Sequence, residues 1–378
     1  MADGLGFCPA IMYHIEQIAE QNAPGKKMHV AGFLAMLFCC QNSSVTPLND
    51  QYQGGHQRGL TVTYRRRPVL TDVQNEDNCD INTQPGRLEW NVPALSHRQY
   101  SFHISDDLIR KYCQDASQMM SAGAPPTQVM QEVYDLIVDG ANILLKSINR
   151  ALVTAQATEF GVNTTTGSST GKVININRNG NDFALDDGIV EMMTDIVENE
   201  ICGDPCMVGG GLFNAYTKAR AIACCNNAGL DMGAAGIPQF FFDKDTQSIW
   251  GNNTVGLFAP GSVKFIGRNR YIGSWAGARG TSFFTTLPLP VQEFGCADDC
   301  LRDLVLDMQI RYNDCPADDG QGGTIDRGVQ VILSKQFALW SQPDNAFQAT
   351  DELFGTNGIL KYFITNTSYT GGAYAYPA

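Results

Sequence analysis

Between residues 128 and 161 the apolar positions fall on one stripe. Met130, Val133, Ile137, Ala141, Leu144, Ile148 and Leu152 recur at spacings of three and four, the period of a helix with one buried face. Gln131, Asp135, Asp139, Asn142, Lys146 and Asn149 repeat that spacing on another face and read as its polar side. Thr127, after Pro125 and Pro126, is placed to cap the start, and Gly161 to end the helix through a left-handed turn. Gly140 is the weak link, at about 1 kcal/mol against alanine. The pattern predicts a helix over residues 128–160, on the order of 50 Å long, where an ordinary helix has roughly three turns.

Around this rod the period changes to two. Leu60, Val62 and Tyr64 alternate with threonines, and Leu88, Trp90 and Val92 alternate with polar residues. With the turn-rich DVQNEDNCDINTQPG between them, residues 58–104 read as a long projecting hairpin. Leu304, Leu306, Met308, Ile310 and Tyr312 face one way along a strand, with Asp307, Gln309 and Arg311 on the other side; Val329, Val331 and Leu333 continue in a second strand. Ser105 caps an expected helix over 106–120. NTTTGSSTG (163–171) is a linker. A mixed stretch follows: a short strand KVININ, a helix opened by Asp186 and Asp187, a buried strand PCMVGG, a helix LFNAYTKARAIACC, and strands across 237–290. Residues 1–50 read as an arm, with a short helix near 11–19, a break at Pro24-Gly25 and an apolar run, VAGFLAMLFCC, expected to be buried. That run is too short to span a bilayer, which needs about 20 apolar residues. No internal repeat is evident.

Composition sharpens the picture. A chain of 378 residues exceeds what one core usually serves, so two domains or one layered unit are expected. The net charge of −13 argues against gripping nucleic acid through its phosphates, though not against enclosing it. Charged residues make up 17% of the chain, against about 25% ordinarily. That fits either a surface shared with other subunits or one that is polar and uncharged. The N-terminal stretch lacks a secretory pattern, so the 12 cysteines are expected mainly as buried thiols made in a reducing cytoplasm, with Cys39-Cys40 and Cys224-Cys225 as small apolar fillers. The sequons at Asn42, Asn163, Asn252 and Asn366 are then incidental.

Chemistry is sparse. All five histidines, His14, His29, His56, His97 and His103, precede residue 104, in the parts expected to be least rigid. The C-x3-C pairs Cys202/Cys206 and Cys296/Cys300 have zinc-compatible spacing without a zinc-ribbon context, and a redox or disulfide role is the other alternative. VGGGLFNAY (208–216) imitates a nucleotide loop but has Asn214 where a third glycine should stand, so tight strand–helix packing is the better account. Asp243 and Asp245 lack the rest of a calcium loop and read as a turn. No catalytic, cofactor or metal residue is assigned. Arg65-Arg66-Arg67 is the sharpest basic cluster, read as docking onto an acidic neighbouring subunit or as a solvated strand end. With Trp90 these arginines are the candidate inter-subunit contacts.

The order of parts, together with KSINRALVTAQATEFGVNTTTG, GGGLFNAYTKARAIACCNNAGLDMG and IPQFFFDKDTQSIWGNNTVGLFAPGSVKFIG, resembles the tailed-bacteriophage major capsid proteins, whose fold encapsulins share. The likeness covers most of residues 55–340. It implies an α+β capsid fold: an N-terminal arm (1–57), an extended β-hairpin loop (58–104), a peripheral domain with its spine helix (105–171), an axial α/β domain (172–300), and returning strands of the peripheral domain with a C-terminal segment (301–378). It further implies a non-enzymatic head subunit that assembles with copies of itself into hexamers and pentamers of an icosahedral shell. Such a shell encloses double-stranded DNA without sequence-specific binding, assembles in the host cytoplasm, meets no membrane, and can take decoration, scaffolding and portal proteins as partners. The competing readings are another virion component, such as a tail-tube or head-completion protein, an enzyme of unknown class, and a secreted binding protein.

Overall fold

The computed structural model describes residues 28–29, 32–40, 44–47, 61–65, 87–91, 95–109, 111, 128–161, 171–175, 178–179, 182–183, 187–199, 201, 203–214, 239–251, 253–271, 277–279, 282–288, 291–292, 304–313, 317–318, 324–325, 328–342 and 357–365.

The rod is present as one helix, Gln128–Gln156. Val133, Ile137, Ala141, Leu144, Ile148 and Leu152 of the expected stripe are all buried, joined by Tyr134, Val138, Leu145 and Val153. The helix lies on strands Ser96–Ser105 and Gly328–Ser341. Gly140 earns its place at this contact: a Cβ there would stand 3.1 Å from the rings of Phe102 and Tyr100, so the missing side chain lets two aromatic residues close on the backbone. The end differs from expectation. After Gln156 the chain makes a turn, and Gly161 has no positive φ; its N–H donates to the Ile359 carbonyl instead (2.9 Å), so tertiary pairing replaces the local left-handed cap.

Two larger sheets carry the fold. The seven-stranded one is organised by Gly328–Ser341, which pairs antiparallel with Ser96–Ser105 and with Val305–Asn313, while its last residues pair with Val263–Arg268. The register sets Tyr312 opposite Val329, Ile310 opposite Val331 and Met308 opposite Leu333, so the two alternating patterns read from the sequence share one face. Leu304, Leu306, Met308, Ile310, Val329, Val331 and Leu333 are all buried in the core beneath the rod. Strands Ser282–Pro288 and Gly277–Arg279 extend the sheet on one side, and Ser44–Pro47 closes the other.

The five-stranded sheet runs Gln239–Phe242, Cys206–Gly209, Thr254–Phe258, Ile359–Thr365, Lys172–Asn175. Helix Asp187–Glu198 packs against Lys172–Asn175. Residues 172–300 were expected as one α/β unit, yet 263–268, 277–279 and 282–288 join the seven-stranded sheet, and 359–365 crosses into the five-stranded one. Periodicity shows that a segment is a strand and which face it buries, but not which strand it will pair with.

The apolar run near the start is also a helix, Gly32–Cys39, buried along its length from Gly32 to Leu37. The helix expected over 106–120 is seen at 106–109 and 111, its remainder lying outside the described residues. The short helix expected at 11–19, Thr127 and the linker at 163–170 lie outside them too. Among the described residues no helix is long and apolar enough to cross a membrane.

Candidate functional site

Within residues 58–104, read as a projecting hairpin, two strands are seen to pair with each other, and residues 66–86 between them lie outside the described residues. Thr61–Arg65 pairs antiparallel with Arg87–Asn91 as a two-stranded sheet separate from both larger ones. Its register sets Val62 opposite Trp90, Tyr64 opposite Leu88 and Arg65 opposite Arg87. Arg66 and Arg67 lie outside the described residues. The segment after the hairpin, Ser96–Ser105, belongs to the main sheet.

The rod offers the second outward surface. Glu132, Asp139, Lys146 and Arg150 are exposed, and between them Leu136 and Ile143 stand 37% and 50% accessible. Two large apolar side chains seven residues apart lie on one helical face.

The polar face of the rod, however, is interrupted at Asn149, which is fully buried. Its Oδ1 accepts from the Leu34 N–H (3.0 Å), and its Nδ2 donates to Asp243 Oδ2 (2.9 Å) and Asp245 Oδ2 (3.3 Å). Asp243 Oδ2 also accepts from the Phe33 N–H (3.0 Å). The first N–H groups of a helix have no partner within it. Here two of them, on a helix with no acidic residue in its first turn, are satisfied by side chains more than a hundred positions away in the chain. Asp243 meanwhile caps its own short helix, Lys244–Ile249, accepting from the Asp245 N–H. Burial pushes the Asp243 carboxyl above the usual carboxylate range, opposed by the three donors. Asn149 therefore departs from its expected solvent face because the helix Gly32–Cys39 and the short helix close over that end of the rod. Trp250 completes the closure, donating its indole N–H to the Val153 carbonyl (2.8 Å) and meeting Phe33 and Phe160 edge-on.

Cys40 and Cys206, expected as thiols, form a disulfide; Cys39 is disulfide-bonded as well. The filler reading of Cys39-Cys40 is corrected. Sequence spacing cannot show that a helix end and a strand start, 166 positions apart, meet in the core. With Cys206 so bonded, the four-thiolate set imagined from the C-x3-C pairs lacks one ligand; Cys202, Cys296 and Cys300 lie outside the described residues. The glycines of VGGGLFNAY serve packing: a Cβ at Gly209 would meet Val255, and one at Gly210 the Gln247 side chain.

Two charged nodes brace the sheets. Lys172 bridges Asp195 (2.7 Å) and Glu191 (3.0 Å), tying an edge strand to its covering helix. In the seven-stranded sheet Asp307, expected on the open side, is fully buried. It accepts from the backbone N–H groups of Arg270 (2.8 Å) and Tyr271 (3.3 Å), while the Arg270 Nε stands 3.6 Å away as a charge pair too long for a hydrogen bond. Burial raises the Asp307 carboxyl, against these partners. Lys335, buried on the core side, donates to the Val305 carbonyl (2.6 Å) and to Asn269 Oδ1; burial lowers its ammonium to about 8, with Asp307 pulling the other way. His97 is lowered by burial and by Arg270. Among the described residues no three His, Cys, Asp or Glu side chains gather as a metal set.

No family model matches the chain, and no curated protein matches it. Among solved structures it is similar to the capsid asymmetric unit of cyanophage A-1(L), at 13% identity over 88% of this chain and 92% of that one, with a TM-score of 0.44. It is similar to the capsid of cyanophage P-SCSP1u at 9% identity, over 90% of each chain, with a TM-score of 0.41. It is also similar to a virus-like particle from Pyrococcus furiosus at 9% identity, over 84% of this chain and 89% of that one, with a TM-score of 0.34.

Proposed function

We propose that the chain is the major subunit of a viral head: it assembles with copies of itself into hexamers and pentamers of an icosahedral shell that encloses double-stranded DNA without reading its sequence. One observation carries this reading. A two-stranded pair, Thr61–Arg65 with Arg87–Asn91, joins neither larger sheet, and the subunit body is built on a 29-residue helix laid across a sheet. A hairpin alone is marginal in water, so a strand pair that joins neither larger sheet is best accounted for by a surface on another molecule. The hairpin overlaps a neighbouring subunit, with Arg65, Arg66, Arg67 and Trp90 in the contact. The rod transmits load between contacts at its two ends, and repeated heterologous contacts close into a shell when rotation and curvature match. No residue is assigned a catalytic role.

The test is the state of the purified chain. Size-exclusion chromatography and negative-stain microscopy are expected to give capsomers or shells far above the mass of one subunit. A monodisperse monomer or small oligomer at high concentration overturns the reading.

A further inference from the structure

The buried helix Gly32–Cys39 is held by residues distant from it in the chain. It pairs with no strand, and it sits beneath the rod and against strands of both sheets. Three devices hold it. Its apolar side chains are buried, from Phe33 to Leu37. Its leading N–H groups are capped by Asp243 and Asn149. Its far end is bonded through Cys40 to Cys206, at the start of an inner strand of the five-stranded sheet, and its last residue, Cys39, is disulfide-bonded as well. It enters through Gly32, where a Cβ would fall 2.2 Å from the Phe242 carbonyl oxygen, so the seat is shaped to this backbone. This is a plug in a fitted slot, fastened noncovalently at one end and covalently at the other.

We propose that the Cys40–Cys206 bond is a thiol-controlled lock on this plug, so that the reduced subunit keeps its fold while the plug opens locally and oxidation fixes it in place. The rod and both sheets are held by their own ladders and packing. The Cys40–Cys206 tie on the plug can be removed without breaking a strand pair. Closing the lock takes two thiols and one molecule of dioxygen: two S–H bonds break, the S–S bond forms, and both protons and two electrons pass to dioxygen as hydrogen peroxide. Opening takes a dithiol, which is oxidised to its own disulfide as both cysteines regain protons. Cys40 and Cys206 are buried in the seated state, and thiol–disulfide exchange needs access to sulfur. A closed lock therefore resists reductants until the plug frays, whereas a subunit made under reducing conditions starts with the lock open. The inference is independent of whether the subunit builds a shell.

The test compares amide hydrogen exchange of the full chain, oxidised and after treatment with dithiothreitol. Segments 33–40 and 137–153 are followed by mass spectrometry. Reduction is expected to speed exchange in 33–40 by about tenfold or more, because the bond no longer restricts local opening, and to leave 137–153 unchanged. Oxidised Cys206→Ser, or Cys206→Ala if that variant does not fold, keeps the Cys39 disulfide and is expected to exchange in 33–40 faster than the oxidised wild type; exchange at the wild-type rate assigns the hold on the plug to the Cys39 bond and overturns the proposal. Unchanged exchange in 33–40 overturns the proposal. So does equal acceleration of both segments, since the bond would then hold the whole core and not the plug.

Discussion

Replacing Asn149 by alanine separates a solvated polar residue from a buried one. The sequence pattern sets Asn149 among the exposed positions of the rod, where substitutions stay within about 0.5 kcal/mol. The structure gives a larger figure. Truncation orphans the Leu34 N–H, a buried donor worth about 1–3 kcal/mol when left unpaired. It also removes one donor from the Asp243 carboxylate, about 1.5–3 kcal/mol for a hydrogen bond to a charged group. Water entering the gap offsets part of this, so a net loss of about 3 kcal/mol is expected. Urea unfolding at pH 7, followed by intrinsic fluorescence with Trp250 beside the site, measures it. Ser147→Ala on the exposed side of the same helix is the control, expected near zero. Should Asn149→Ala lose no more than Ser147→Ala, the capping of one helix by residues of two others is not what seats it.

Three further outcomes follow from the same contacts. Gly32→Ala drives a Cβ against the Phe242 carbonyl oxygen and is expected to cost more than about 2 kcal/mol by urea unfolding. Lys335 has a folded pKa of about 8, below its unfolded value of 10.5, so between those pH values the unfolded chain binds more protons and folding gains stability as pH rises. That gain, on the order of 3 kcal/mol, is expected in wild type minus Lys335→Met and is refuted if the two unfolding curves stay parallel from pH 7.5 to 10.5. Joint Arg65→Glu, Arg66→Glu and Arg67→Glu substitution is expected to reduce shell yield in negative stain without altering the circular dichroism of the subunit; an unchanged yield removes these arginines from the contact.

Much of the fold was legible because its signals are local. The rod and the paired strands around Met308 and Leu333 each declare a period and a face, and in each the expected apolar side chains are buried, while the strands at 61–65 and 87–91 declare a period and are found paired with each other. What the sequence hid is contact between distant segments. Asn149 and Asp243 look like a helix-surface amide and a turn aspartate, and only their meeting with the Phe33 and Leu34 N–H groups makes them caps. Asp307 alternates correctly as a polar residue, yet the chain carrying Arg270 and Tyr271 closes over it. The one usable signal was the apolar run at 32–39 with no acidic residue to open it: a buried helix without its own cap must borrow one.

The same long-range closure sets the order in which the subunit can be completed. Ile359–Thr365 lies between Thr254–Phe258 and Lys172–Asn175, and it is translated after both. Until it arrives, the five-stranded sheet is split, and two strand edges stand open beside Val255, Leu257 and Ile174, which the finished sheet buries. Open apolar edges are templates for wrong pairing. Ile359, Leu360, Tyr362 and Ile364 are themselves buried, and at about 1.5–3 kcal/mol for each large apolar side chain their loss is comparable with the stability margin of a typical domain. Asn357, just before the strand, adds hydrogen bonds to the carbonyls of Glu159 and Gln342, which tie the strand's entry to the end of the rod. A chain stopped after residue 356 is therefore expected to accumulate in the insoluble fraction at every expression temperature. Supplying residues 357–366 as a separate peptide during refolding is expected to recover soluble subunit, because the strand sets the register of both neighbours. A truncated chain that is soluble and cooperatively folded without the peptide would mean that the sheet closes some other way, and that its last-made strand is an ornament and not the keystone.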